Sequence, residues 1–144
     1  MSCGECYYCK IGEEGSCENF QYEKFVGGLN VKGMGGYAQY LSVTTDKLFK
    51  IPDGVSFEEA ALTEPLSCAL HSVELAEIKM GQNVVVIGAG IMGVFHALLA
   101  KHQGARVIVS EPDKKRRDFL RDLGFKELIN PMEEDLVKTV KELT

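Results

Sequence analysis

The sequence lacks three features that would point to particular classes of protein. It has no excess of positive charge, because 21 acidic residues outnumber 16 lysines and arginines, and the net charge of −5 argues against nucleic acid as a partner. No signal peptide opens the chain. The longest uncharged stretch, Met80–Ala100, is divided by four glycines and a Gln-Asn pair, so it is not a membrane helix. We therefore expect a cytoplasmic protein that does not act on membranes.

Cysteine is scarce except at the amino terminus. Four of the five cysteines, Cys3, Cys6, Cys9 and Cys17, form a C-x2-C-x2-C-x7-C array that contains several glycines. Without a secretory signal these thiols should stay reduced, and four thiolates on one short loop can converge tetrahedrally on one ion. Because the array has no histidine and leaves no open position, it predicts a closed, structural zinc site.

Two alternatives to zinc remain open. Arrays that bind an iron–sulfur cluster also begin C-x2-C-x2-C, but they continue with a three-residue interval and a Cys-Pro pair. Here the interval is seven residues and Glu18 follows Cys17. Two disulfide bonds would also use all four cysteines. A colourless protein with one zinc by elemental analysis would exclude the cluster.

A strand, a glycine-rich turn and a helix follow one another from Asn83 onward. The β-branched run ends at Gly88, and after the turn the apolar residues have helical spacing. In this context Gly88 permits the turn, Gly90 lets the backbone approach a pyrophosphate, and Gly93 lets the helix pack closely on the strand. The residues that share the apolar face of this helix are Ile91, Phe95, Leu98 and Leu99.

An acidic residue stands where this glycine pattern predicts one. Arg106–Ser110 is a second predicted strand, and Glu111 follows it, about twenty residues past the turn. A carboxylate there accepts hydrogen bonds from both hydroxyls of an adenosine ribose and repels a 2′-phosphate, which indicates NAD rather than NADP. The alternatives are a solvated charge at a strand end and a methyltransferase, which also uses an acid at this place.

The segment before the glycine turn has weaker signals. Residues 19–32 look like a loop, Tyr37–Val43 suits a strand, and Ser56-x-x-Glu59 is a capping box. A helix should begin at Pro65 with Glu64 just outside it, where the helix dipole stabilises an ionised carboxylate. Such a carboxylate suits a metal ligand, a water-mediated partner of one, or a charged cap.

Two further side chains near Glu64 are candidate metal ligands by residue type. Cys68 and His71 lie three residues apart on the predicted helix, but a cysteine flanked by apolar residues is more often a small buried side chain. His96 is expected to be a packed histidine. His102 lies near the end of the same predicted helix, where a cation is favourable, and neither His96 nor His102 has a nearby nucleophile or acid that would indicate catalysis.

The sequence after Glu111 completes a βαβαβα pattern. Asp113 should cap a helix that runs to Gly124, and Lys126–Ile129 should be a third strand. Asn130 and Glu133 are then expected to cap a last helix.

In this order the motifs resemble the middle of a zinc-dependent medium-chain dehydrogenase, the alcohol and polyol dehydrogenase family. The likeness covers essentially all 144 residues and rests on the four-cysteine loop, Gly35-Gly36-Tyr37-Ala38, Glu64-Pro65-Leu66-Ser67 and the glycine turn. Glu64-Pro65-Leu66-Ser67 looks more like the sorbitol, threonine and butanediol dehydrogenase branch. The resemblance implies a partial GroES-like segment with the zinc loop over residues 1–78. It implies the first half of a doubly wound Rossmann parallel sheet over residues 79–144.

The resemblance also implies roles for individual residues. The four-cysteine array would hold the structural zinc, and Glu64 would lie at the catalytic zinc, as ligand or through a water. Glu111 would bind the adenosine ribose of NAD and Arg116 would lie against the adenine. The contacts to the pyrophosphate would come from Gly88, Gly90, Ile91, Met92 and Gly93. In the family the zinc polarises an alcohol oxygen and a hydride passes from carbon to the nicotinamide.

Two parts of the family pattern are not in this sequence. The cysteine and histidine that open the catalytic zinc site lie upstream of the four-cysteine loop, where this chain has only Met1 and Ser2, and the second half of the nucleotide-binding domain would follow Thr144. We therefore expect a piece of an NAD-linked alcohol or polyol dehydrogenase that is inactive alone and homo-oligomeric at full length. The alternative is a non-catalytic, zinc-stabilised NAD-binding module. An unpaired edge on the strand Val84–Ile87 also predicts self-association.

Overall fold

The computed structural model describes residues 2–20, 23–26, 29–32, 38–41, 45 and 48–144. The chain divides into two compact units, Met1–Lys50 and Ile51–Thr144. The domain boundary predicted at residues 78–79 stays a prediction. No helix in the described part of the chain is both long and apolar enough to cross a membrane.

The amino-terminal unit contains short elements only. Helix α1 (Tyr7–Lys10) and a 3₁₀ turn (Glu14–Ser16) form the cysteine loop. Strands β1 (Glu23–Val26) and β2 (Leu29–Lys32) then pair in antiparallel fashion. The prediction of a loop over residues 19–32 is therefore wrong, because each four-residue strand obtains its backbone hydrogen bonds from the other. The sequence between the strands is Gly-Gly, a hairpin signal that the prediction overlooked.

The strand predicted over Tyr37–Val43 is not found in its described part. Residues 38–41 form a bend and coil, Tyr40 is 92% exposed, and none of the described strands pairs with them. Aromatic and β-branched content favours a strand only where a neighbouring strand completes the hydrogen bonds. Residues 37, 42 and 43 lie outside the described residues.

The carboxy-terminal unit is a three-stranded parallel sheet with helices in its connections, preceded by two further helices. Its strands, in spatial order, are β3 (Asn83–Ile87), β4 (Arg106–Ser110) and β5 (Glu127–Ile129). Its helices are α2 (Phe57–Ala60), α3 (Thr63–Leu75), α4 (Ile91–His102), α5 (Lys114–Asp122) and α6 (Leu136–Leu143). The predicted βαβαβα pattern and the α/β fold class are confirmed.

The core of this unit lies between the sheet and helices α4 and α5. Its largest fully buried side chains are Val109 and Leu120, whereas the fully buried Ile108 of β4 is not part of this cluster. In α4 the buried residues are Ala97 and Ala100, whereas Ile91 and Leu98, which were expected on the apolar face, are exposed by 53% and 37%. Small side chains on the inner face let the helix axis approach the strands, and the larger apolar residues of α4 therefore lie further from the sheet.

Side-chain caps are present at the starts of α2, α5 and α6, whereas α3 and α4 have none. The capping box of α2 is present, since Glu59 N–H donates to Ser56 Oγ at 3.2 Å and Ser56 N–H donates to Glu59 Oε2 at 2.8 Å. The Ser56 N–H and the Ser56 hydroxyl, which donates to Glu59 Oε2 at 2.9 Å, lower the pKa of Glu59. Helix α3 begins at Thr63, so Glu64 lies in its first turn and not outside it as expected.

The last helix starts later than predicted. Asp135 caps α6 by accepting the Lys138 N–H at 3.0 Å. The predicted cap, Asn130, instead accepts the Met132 N–H at 3.1 Å in a turn that follows β5. The prediction of an Asn130 cap is wrong because a short polar side chain can satisfy a local turn as readily as a helix end.

Strand β3 lies at an edge of the described sheet. Its side chains Val85 and Ile87 are 37% and 78% exposed. An apolar groove of about 420 Å³ runs along this edge between α3 and α4. The strand has no charged residue that would discourage pairing with another chain.

Candidate metal and nucleotide sites

The four amino-terminal cysteines converge on one point. Their ligand atoms all lie within 4.8 Å of one another. The Sγ–Sγ distances are 3.5 Å for Cys6 and Cys9, 3.9 Å for Cys6 and Cys17, and 4.0 Å for Cys3 and Cys9. Thiolates bound about 2.3 Å from a tetrahedral zinc lie about 3.8 Å apart. The residues present therefore fit a single zinc ion.

The same Sγ–Sγ distances distinguish a zinc site from two disulfide bonds and from an iron–sulfur cluster. All four cysteines are free, and sulfur atoms 3.5 Å or more apart are far from the roughly 2.0 Å of a disulfide bond. In an iron–sulfur cluster the four thiolates are divided among two or four irons, which holds thiolates on different irons further apart than around one ion. The geometry thus favours one mononuclear, four-thiolate site.

Backbone amides already surround the sulfurs. The Cys6 N–H donates to Cys3 Sγ at 3.4 Å, and the Cys3 N–H donates to Cys17 Sγ at 3.3 Å. Hydrogen bonds from the backbone of Glu5 and Cys6 lower the pKa of the Cys3 thiol to about 6, whereas desolvation raises the pKa of Cys9 to about 12. Backbone hydrogen bonds from Cys9 and Glu18 also lower the pKa of Cys6, so the fold favours the thiolate form of Cys3 and Cys6, and an ion would displace the remaining protons.

The glycine turn joins β3 to α4 at the carboxyl end of the sheet. Gly88 has φ +97°, a conformation that side chains disfavour, and its N–H donates to Ser110 O at 2.7 Å. A Cβ on Gly93 would lie 2.0 Å from Gly88 O, so this helix packs too closely for any side chain there. A Cβ on Gly90 would meet nothing within 4 Å. The start of α4 thus opens onto free space beside Gly90.

The Glu111 carboxylate is buried and points at this turn. Only 3% of Glu111 is exposed. Its Oε2 accepts the Ala89 N–H at 2.6 Å, and its Oε1 accepts the Asp113 N–H at 2.8 Å. A solvated strand-end charge does not fit this burial. Each carboxylate oxygen has a further lone pair, so both can still accept a hydroxyl hydrogen.

Two arginines of α5 stand beside Glu111. The exposed Arg116 has its Nη1 3.8 Å from Glu111 Oε2. Arg117 is half-buried, and its Nη1 donates to the carbonyl oxygens of Glu111 at 2.7 Å and Pro112 at 2.6 Å. The family resemblance implies a role for Arg116 only. No local pattern marks Arg117, because its partners are backbone carbonyls that become neighbours through the path of the chain.

The residues around Glu64 do not form a metal cluster in the described part of the chain. Glu64 is exposed, and the Cys68 thiol donates to its Oε1 at 3.6 Å. Cys68 is itself exposed, so the expectation of a buried cysteine is wrong: the buried face of α3 is formed by Ala69 and Val73. His71 is also exposed. Among the described residues, the amino-terminal cysteines are the only group of three or more that could hold an ion.

His96 is half-buried in the helix that follows the turn. Its Nδ1 lies 2.7 Å from Met92 O, one helical turn earlier. This contact is that of a packed, hydrogen-bonded histidine, as predicted.

A parallel βαβαβα unit whose glycine turn faces a buried acid, in one chain with a four-thiolate loop, defines a metal-containing, nucleotide-binding class of oxidoreductase. The family model for a zinc-binding dehydrogenase matches residues 92–144, and the model for an alcohol dehydrogenase GroES-like domain matches residues 1–53. The chain belongs to the zinc-dependent medium-chain dehydrogenase family.

Similar proteins extend the match to nearly the whole chain. The 2-dehydro-3-deoxy-L-galactonate 5-dehydrogenase of Pseudoalteromonas atlantica is 39% identical over 142 residues, which cover 99% of this chain and 40% of that protein. The L-threonine 3-dehydrogenase of Pyrococcus furiosus is 38% identical over 143 residues, which cover 99% and 39%. The chain therefore spans about 40% of the length of the curated relatives it matches.

Solved structures show the same fold. A protein described as a zinc-binding dehydrogenase from Clostridium scindens has a TM-score of 0.80 and 29% identity, covering 99% of this chain and 38% of that one. Another zinc-binding dehydrogenase, from Sinorhizobium meliloti and bound to NADP, has a TM-score of 0.78 and 32% identity, covering 96% and 39%.

Proposed function

We propose that this chain provides the structural-zinc loop and the adenosine-binding half of a zinc-dependent dehydrogenase that transfers a hydride from an alcohol or polyol to NAD. The observation that carries the proposal is the Glu111 carboxylate, which is 3% exposed and bound to the Ala89 N–H of the glycine turn. A buried acid at this place suits a ribose diol. Both relatives named above are dehydrogenases.

The proposed nucleotide contacts follow the start of α4. The first N–H groups of the helix have no partner within it, and the helix dipole favours an anion there, so the pyrophosphate would lie over Gly90. Its contacts would come from Gly88, Gly90, Ile91, Met92 and Gly93. Arg116, whose side chain is 58% exposed, would lie against the adenine.

The proposed cofactor is NAD rather than NADP. A 2′-phosphate would approach the Glu111 carboxylate, and this carboxylate is fixed by the Ala89 and Asp113 N–H groups. The repulsion between two anions is strong at a site that excludes water. The NADP in the Sinorhizobium structure shows that a similar protein can bind the phosphorylated form, so the preference of this chain requires a direct test.

Zinc would enter this function in two places. Cys3, Cys6, Cys9 and Cys17 would hold a structural ion, and Glu64 would lie at a catalytic ion, directly or through a water. When bound, a catalytic zinc lowers the pKa of an alcohol. Glu64 is the one ligand that the described residues would supply to it, so a non-catalytic NAD-binding module is the second candidate function. A homo-oligomeric, cytoplasmic dehydrogenase with a small-molecule substrate is the proposal for the whole protein.

Calorimetric titration of the zinc-loaded chain with NADH and NADPH tests the proposal. We expect tighter binding of NADH, and we expect Glu111→Gln to reduce the difference because it removes the negative charge. Glu133→Gln, an exposed glutamate in the turn before α6, is the matched control and should change neither affinity. Equal binding of both nucleotides, or binding of neither, would contradict the proposal.

Turnover separates the two candidate functions. NAD is mixed with polyols, threonine and butanediol, and NADH absorbance is followed. We expect no NADH from the 144-residue chain under either function. NADH formation by a longer chain that supplies the other catalytic-zinc ligands would show a dehydrogenase, whereas NADH binding without turnover at both lengths would show a binding module.

A further inference from the structure

We infer that Arg117 is a positioning residue that sets the nucleotide preference of this chain by fixing the segment that carries Glu111. The inference rests on the proposed function and adds to it a residue that does not touch the nucleotide itself. It starts from the two hydrogen bonds of the Arg117 Nη1, to Glu111 O at 2.7 Å and to Pro112 O at 2.6 Å.

The position of Arg117 in α5 is electrostatically unfavourable. The helix begins with Lys114, Lys115, Arg116 and Arg117, and its first turn contains no acidic residue. The amino terminus of a helix favours negative charge, so these cations oppose the helix dipole. Lys114 pairs with Asp118, and Lys115 and Arg116 lie near the capping Asp113, but neither acid pairs with Arg117 in the described contacts. Places where a sequence breaks a local rule are often functional sites. The carbonyl oxygens of residues 111 and 112 partly compensate the Arg117 charge.

Arg117 belongs to a set of hydrogen bonds that fixes both the side chain and the backbone of Glu111. The side chain is fixed by the N–H groups of Ala89 and Asp113. The backbone is fixed by the Glu111 N–H, which donates to Ile129 O at 3.0 Å, and by Arg117, which holds the carbonyl oxygen. Without Arg117, the peptide between Glu111 and Pro112 loses its one side-chain anchor among the described contacts.

This anchoring matters more for binding a ribose with two free hydroxyls than for binding a ribose with a 2′-phosphate. Two neighbouring hydroxyls must reach two lone pairs of one carboxylate, which requires a fixed carboxylate plane. A 2′-phosphate is excluded only while the carboxylate stays in place. Releasing the Glu111 segment should therefore weaken binding of a ribose that has both hydroxyls free. It should also reduce the repulsion between Glu111 and a ribose that has a 2′-phosphate. The pyrophosphate contacts at Gly90 would be common to both ligands and would not distinguish them.

Arginine suits this task better than lysine. Both carbonyl oxygens accept from one nitrogen, Nη1, whose two N–H groups are held in the plane of the guanidinium. An ammonium group also has several N–H groups on one nitrogen, but its flexible stem fixes their direction less well. Arg117→Lys should thus keep part of the effect, and Arg117→Gln should lose it.

The test compares ADP-ribose with 2′-phospho-ADP-ribose by calorimetric titration of the zinc-loaded chain. For Arg117→Gln we expect about tenfold weaker binding of ADP-ribose, the effect of about one lost hydrogen bond to a charged group. We expect unchanged or tighter binding of the 2′-phosphate, so the ratio of the two affinities falls. Arg121→Gln is the matched control, because Arg121 lies on the same helix and pairs with Asp118 instead. It should leave the ratio unchanged.

Each other outcome has a definite meaning. If Arg117→Gln weakens both ligands by the same factor, Arg117 has a structural role only and the inference is wrong. If wild type prefers ADP-ribose and neither Arg117 variant changes the ratio, the inference fails and the proposed function stands. If wild type binds neither ligand, the proposed function and the inference fail together. If circular dichroism shows that Arg117→Gln is unfolded, Arg117→Lys decides by the same ratio.

Discussion

The two units of this chain are stabilised by different physics. In the described part of the amino-terminal unit, Cys17 is the one buried hydrophobic residue, and the loop around it is organised by four sulfurs. In the carboxy-terminal unit a contiguous apolar cluster, with Val109 and Leu120 fully buried, lies between the sheet and its helices. A segment with almost no apolar core can thus have a defined structure where metal coordination takes the place of side-chain burial.

Zinc removal should have the largest effect, because it should unfold the cysteine loop of one unit and leave the other unit folded. Zinc–thiolate binding contributes on the order of 10 kcal/mol of folding free energy in small modules, so chelation or Cys6→Ser should unfold the cysteine loop. Hydrogen exchange followed by mass spectrometry should show lost protection in Tyr7–Lys10 and unchanged protection in β3 and β4. Cys68→Ser, outside the cluster, is the control and should keep both. Lost protection in both units would show that they are not independent.

Gly93→Ala should destabilise the carboxy-terminal unit, which depends on side-chain packing. The added Cβ would lie 2.0 Å from Gly88 O, so the helix must move off the strand. Overpacking of this kind typically lowers the free energy of unfolding by about 1–3 kcal/mol, which urea denaturation measures. Gly90→Ala, whose Cβ meets nothing within 4 Å, should lower it less and should weaken nucleotide binding. Equal losses from both variants would contradict the packing argument.

Self-association concerns the carboxy-terminal unit, because its strand β3 is apolar and lies at the edge of the described sheet. Ile87 is 78% exposed at the edge of β3. A lysine on an edge strand discourages pairing with another chain, so Ile87→Lys should move the sedimentation of the isolated chain from oligomer toward monomer. Wild type that sediments as a clean monomer would contradict the predicted self-association.

The smallest expected effect concerns a surface charge in the same unit. Lys101 Nζ donates to Leu123 O at 3.3 Å and Gly124 O at 3.2 Å, and lies 4.7 Å from the centre of the Phe125 ring. Lys101→Met should cost about 1 kcal/mol, seen as a Tm lower by a few degrees. The control is Lys138→Met, which removes only an exposed ion pair and should leave the Tm unchanged. Equal shifts would show that the carbonyl contacts contribute nothing.

The sequence was most informative where several signals agreed. Strand β4 has the predicted bounds, Arg106–Ser110, and β5 begins one residue later than predicted. Asp113 caps α5 as predicted, by accepting the Arg116 N–H at 2.9 Å. In these elements β-branched residues, turn glycines and caps favour the same structure, and the core then requires it.

The sequence was least informative where a tertiary contact determines whether a side chain is buried or which group it binds. The position of Cys68 between apolar neighbours did not reveal its exposure, because the buried face of α3 is selected by what packs against Ala69 and Val73. The carbonyl contacts of Arg117 follow from the path of the chain between β4 and α5. Neither propensity nor periodicity contains information of this kind.

The hydrogen bond between Glu111 and Ala89 has a kinetic consequence. Since folding alone holds the carboxylate in place, an arriving nucleotide meets acceptors that need no search through rotamers. We therefore expect recognition of the sugar to proceed in one kinetic step at a rate close to that of diffusional encounter, without a slower rearrangement of the β4–α5 connection afterwards.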